Sequence, residues 1–136
     1  MKATIQEEET GCGIAAVATI LQLPYSIVQA QANALGIYAT DEKLFSDTQY
    51  MRRLLTHYTI STADTEKPFQ SWEDLPDLAL LSIKHHYENG TPFWHWVVFH
   101  RGDCGARVLD SAPHLESNER SDLEAIDPKW YIEVSP

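Results

Sequence analysis

The chain predicts an α+β domain in which N-terminal helices pack on a C-terminal antiparallel sheet. Apolar residues recur at helical spacing through the first part, up to about Tyr58. β-branched and aromatic runs separated by short turns follow from Leu78 onward. Strands do not alternate with helices, as a parallel sheet would require. At 136 residues the expectation is one domain spanning 1–136, large enough for a single core.

The elements follow in order. Ile14, Val17, Ala18 and Leu21 predict a helix over 12–22. Pro24 breaks the chain, and Ser26 is placed to cap a second helix through Leu35 that stops at Gly36. Asp47 is placed to cap a third, DTQYMRRLLTHY, with Met51, Leu54 and Leu55 on one face. Residues 61–77 hold prolines and acids without a period and read as a surface connection. LALLSIKHH (78–86) reads as a strand, ENGT as a turn, and PFWHWVVFH (92–100) as a second strand. RGDCG turns the chain into ARVLD, and WYIEVS closes the sheet.

Net charge is −10, which repels a phosphate backbone and argues against nucleic-acid binding. No stretch approaches the ~20 apolar residues of a membrane span. MKATIQEEET lacks the apolar core of a secretory signal, so the expected location is cytoplasmic. Cys12 and Cys104 then read as free thiols. His85 and His86 are adjacent on a strand and face apart; with no CxxC or HxxxH spacing, no metal site is expected. Asn89-Gly90-Thr91 reads as a turn.

Cys12 stands between two glycines where a loop enters the first helix. A helix N-terminus favours negative charge, and so favours a thiolate nucleophile. The base it needs is sought among six histidines. His95 lies mid-strand on an otherwise apolar face with Phe93, Val97 and Phe99, where an imidazole needs a hydrogen-bond partner. Asp110, at the end of the next strand, supplies one across the sheet. This is the nucleophile–base–orienter set of acyl transfer. The backbone N–H of Cys12 and the side-chain amide of Gln6 are candidate oxyanion donors.

Gln6, five intervening residues, Cys12-Gly13 and an alanine-rich helix resemble the opening of the papain-like cysteine peptidases. Within them the chain is most similar to the bacteriocin-processing, double-glycine leader peptidases. His95-Trp96-Val97-Val98 and Asp110 continue that pattern. The resemblance implies a papain-like fold and thiol-dependent cleavage of a peptide or amide bond in a peptide or protein substrate, without cofactor. It assigns Cys12 as nucleophile, His95 as base, Asp110 as orienter and Gln6 as oxyanion donor. The chain departs from the pattern at Gly11, where such proteins often carry Asp or Asn, and at Ser111, where proline is common. Two other readings compete: acyl transfer or side-chain amide removal on the same triad, and a peptide-binding module without chemistry. Glu7–Glu9 read as a solvated loop or as a selector of positively charged substrate residues.

Overall fold

The computed structural model describes residues 1–136. α1 (Cys12–Leu21) ends one residue before the predicted limit, because Gln22 turns left-handed at φ 54° and closes the helix. α2 (Tyr25–Ala34) follows Pro24, not a serine cap: the Pro24 carbonyl accepts from Ile27 and Val28, and Ser26 lies inside the first turn. A proline φ is already suited to a helix entrance, so no side-chain cap is required. Gly36, at φ 80°, ends the segment as expected. α3 (Gln49–His57) is entered through Asp47, whose carboxylate accepts from the Gln49 N–H at 2.9 Å.

The connection predicted over 61–77 contains two short strands, β1 (Ser61–Thr62) and β2 (Lys67–Pro68). They are followed by β3 (Leu78–Glu88), β4 (Thr91–Gly102) and β5 (Gly105–Leu109). The last elements are β6 (Glu119–Arg120) and β7 (Trp130–Ser135). The sheet runs β1-β7-β3-β4-β5-β6, with β2 also pairing β7. Every pairing is antiparallel. β1, β2 and β6 escape a reading by periodicity because two residues carry no period. Asn89 and Gly90, both at positive φ, form the tight turn that joins β3 to β4.

Both faces of the sheet are covered. Leu80, Trp96, Val98, Leu109 and Ile132 pack against Ile14 and Val17 of α1, Val28 of α2, and Met51 and Leu54 of α3. Ala15, Ala16 and Ala18 keep α1 narrow, so it lies close to the sheet while nearly wholly buried. On the other face, Ala79, Leu81, Val97, Phe99 and Val108 pack beneath Leu75 and Ile126. Each fully buried Val, Leu or Ile contributes about 1.5–3 kcal/mol. Burying α1 in this way fixes where its first residue, Cys12, meets the sheet.

Candidate active site

Cys12 opens α1, and neither its backbone N–H nor that of Gly13 has an acceptor in the chain. The flanking glycines have a steric origin. A β-carbon on Gly11 would stand 2.2 Å from the Tyr25 hydroxyl, and one on Gly13 would stand 2.3 Å from the Tyr50 hydroxyl. Two phenols thus close on the chain on either side of Cys12. Tyr25 donates to the Glu8 carboxylate at 2.6 Å, tying the loop before Cys12 to α2. Burial first, and then the charges of Glu8 and Cys12, push its phenol pKa far up. Tyr50 is held neutral in the same direction by burial and by Cys12. Gly11 replaces the acid or amide expected before the cysteine because Tyr25 occupies that space.

His95 and Asp110 reach each other through the β4–β5 register. Phe99 pairs Val108 and Val98 pairs Leu109, so Asp110 continues just beyond the ladder on the face that parity gives His95. His95 Nε2 and Asp110 Oδ1 are 2.8 Å apart. A carboxylate only accepts, so the Nε2 proton is donated to Asp110 and Nδ1 is left as the basic nitrogen. Asp110 is 1% exposed and His95 17%. Burial alone pushes the His95 pKa down, but the bond to Asp110 and the adjacent Cys12 sulfur raise it to about 9. Burial likewise opposes ionisation of Asp110; His95, the Ala112 N–H and Arg120 outweigh it and hold the carboxyl below its usual range.

Three residues around Asp110 carry no signal in the sequence. Asn118 donates to the carbonyls of Asp110 at 2.7 Å and Ala112 at 2.8 Å, and its own carbonyl accepts from the Asp110 N–H. Arg120, on β6, donates from Nη1 to Asp110 Oδ2 at 3.3 Å. The same guanidinium grips Asp122 through Nε at 3.2 Å and Nη2 at 3.0 Å. All three lie in a run without periodicity, where only the return of β6 to β5 brings them to Asp110.

Gln6 lies on the loop before α1. Its amide N–H groups donate to the Glu8 carbonyl at 3.0 Å and the Glu9 carbonyl at 2.9 Å. Its Oε1 accepts from the Ser111 hydroxyl at 2.9 Å, and its backbone N–H donates to the Ser111 carbonyl. Ser111, the second departure from the expected pattern, thereby joins the Gln6 loop to the residue after Asp110.

Cys12, Tyr50, His95 and Trp96 line one cleft of about 280 Å³. Phe45, Phe93 and Trp94 supply apolar walls, while Glu9, His86 and Glu88 are its charged groups. Three larger clefts contain neither Cys12, His95 nor Asp110. Glu8 is bound by Tyr25, which leaves Glu9 as the acid of the loop that borders the cleft. Cys104 is exposed in the β4–β5 turn, and both cysteines are free thiols.

No family model matches the chain, and no curated protein matches it. Solved structures do. The peptidase domain of Streptococcus ComA, a bifunctional ABC transporter involved in quorum sensing, superposes with TM-score 0.65 at 15% identity. That match covers 99% of this chain and 98% of the other. A double-glycine-motif protease from an AMS/PCAT transporter, solved with its leader peptide, superposes with TM-score 0.61 at 13% identity over 98% and 90% of the two chains. The fold is that of the double-glycine peptidase domains. Three N-terminal helices followed by an antiparallel sheet, as the sequence predicts, match those papain-like peptidase domains over nearly the full chain.

Proposed function

We propose that the chain is a cysteine peptidase that cleaves a peptide or amide bond through Cys12, His95 and Asp110. The observation that carries this reading is the orientation of His95: Nε2 is bound to Asp110 and Cys12 lies beside the ring in the same cleft. A peptide substrate is supported by the double-glycine-motif protease solved with its leader peptide.

In this reading the Cys12 thiol proton passes to His95 Nδ1, and the sulfur attacks the scissile carbonyl carbon. The carbonyl electrons move to oxygen, which the Cys12 N–H stabilises. Gln6 is the second donor, trading one of its two loop carbonyls for the oxyanion. As the tetrahedral species collapses, the C–N bond breaks and His95 returns its proton to the departing amine. A thioester on Cys12 remains. Water then attacks it while His95 takes up the water proton; cleavage of the C–S bond releases the carboxylic acid, and the proton restores the thiol. Asp110 holds the imidazole in one tautomer throughout.

The test is alkylation of Cys12 by iodoacetamide in a Cys104→Ser background, with and without His95→Ala. Fast labelling at neutral pH that slows markedly without His95 is the expected result. Slow labelling indifferent to His95 would remove the nucleophile–base pair and with it the proposal. Mass spectrometry of products then separates hydrolysis, which adds water, from transfer, which adds the acceptor.

A further inference from the structure

The triad leaves one strong interaction at its far end unused. Asp110 has two carboxylate oxygens: Oδ1 takes the His95 Nε2–H and the Ala112 N–H, and Oδ2 takes Arg120. Arg120 is 18% exposed and is held from behind by Asp122, which accepts from Nε and Nη2. The guanidinium is therefore fixed before it meets Asp110 and does not have to be ordered by it.

We infer that Arg120 is a positioning residue of the site, acting through Asp110 to keep that carboxylate ionised while His95 is neutral. The inference rests on the peptidase reading above. Its logic is a charge count around the cycle. With the thiolate and imidazolium formed, His95 itself neutralises Asp110. Once His95 has given its proton to the leaving amine, that positive charge is gone. Asp110 is then a carboxylate at 1% exposure, and burying an uncompensated charge is costly. Arg120 is the cation left in contact with it. Without Arg120 the Asp110–His95 pair holds its last proton more tightly, and less neutral imidazole is available to deprotonate water.

The charged and titratable groups around this pair come from every neighbouring element. They are Cys12 on α1, Tyr50 on α3, Arg120 on β6 and Asp122 just beyond it. Glu9, His86 and Glu88 border the cleft. The two tyrosines beside Cys12 stay neutral because burial drives both phenols upward. Arg120 is thus the cation that bears on Asp110 when His95 carries no charge.

The experiment needs no substrate. Iodoacetamide converts Cys12 to its carbamidomethyl thioether with release of iodide, leaving His95 and Asp110 as the pair they form in the thioester intermediate. The His95 ring titration is followed by NMR in the alkylated Cys104→Ser protein. Replacing the cation by Arg120→Gln should move the His95 titration upward by about 1 unit, while Arg120→Lys stays near the parent. Arg120→Met, which keeps the length of the side chain and loses its charge, should move the titration the same way as Arg120→Gln. This variant also decides the question should Arg120→Gln fail to fold. An unchanged titration in both variants overturns the inference. So does a fall in Arg120→Gln, which would mean that Asp110 had merely lost its place. Labelling indifferent to His95 would defeat the peptidase reading instead, and it is read in a separate step.

Discussion

The Tyr50 hydroxyl stands 2.3 Å from where a β-carbon on Gly13 would lie, and the Tyr25 hydroxyl stands in the same relation to Gly11 at 2.2 Å. The Gly-Cys-Gly sequence is therefore a packing solution. The two glycines let the Cys12 backbone pass between two phenols that stay un-ionised beside it.

Gly13→Ala sets helix propensity against this contact. Alanine is better than glycine in a helix by about 1 kcal/mol, yet overpacking costs about 1–3 kcal/mol. Urea denaturation should show Gly13→Ala destabilised, and Tyr50→Phe should remove most of that loss. Equal losses in both backgrounds would mean that the hydroxyl is not the obstacle.

Asp110→Asn keeps the shape of the side chain and removes its charge. Peptide cleavage should fall on the order of 10²-fold, short of the complete loss expected for Cys12→Ala. His95 should titrate below about 9, because its bond to a carboxylate is lost. An unchanged His95 titration would separate Asp110 from the imidazole in solution.

Stability should depend on alkaline pH in a defined window. Because the His95 pKa is raised to about 9, its stabilising effect is complete below the ordinary histidine value of ~6.5 and is lost as pH rises through about 9. Tyr25 and Tyr50, whose pKa values are also raised, add to the loss only above ~10, where the unfolded phenols ionise. Thermal melts from pH 6 to 10 should therefore decline before the tyrosine range. In Asp110→Asn the early decline should flatten, and a parallel decline in both proteins would assign it to another group.

Gln6 holds the loop before Cys12, and the proposed oxyanion role is separable from that one. Gln6→Ala frees the Glu8 and Glu9 carbonyls it now holds, which loosens the loop and slows every reaction of Cys12 alike. If Gln6 also donates to the oxyanion, peptide cleavage should fall about 10²-fold while iodoacetamide alkylation, which forms no oxyanion, falls much less. Equal losses in the two rates would restrict Gln6 to the loop.

Element type and order were legible in the sequence where periodicity is long. α1, α3 and β3 to β5 repeat their apolar spacing over several residues, parity put His95 on one face of its strand, and the β4–β5 turn made Asp110 its near neighbour. Cys12, His95 and Asp110 were readable because each falls at the edge or middle of such an element, and Gln6 because of its spacing before Cys12. Tertiary structure alone decided the rest. β1, β2 and β6 are two residues long and exist because a neighbouring strand offers unpaired N–H and C=O groups, which no local pattern records. Arg120 and Asn118 reach Asp110 only because β6 returns to β5, and Tyr25 and Tyr50 reach the glycines beside Cys12 only once α2 and α3 pack on α1. Sequence spacing specifies which face a side chain takes along its own element; which atoms then meet across elements depends on packing, and packing selected the partners that set the charges of this site.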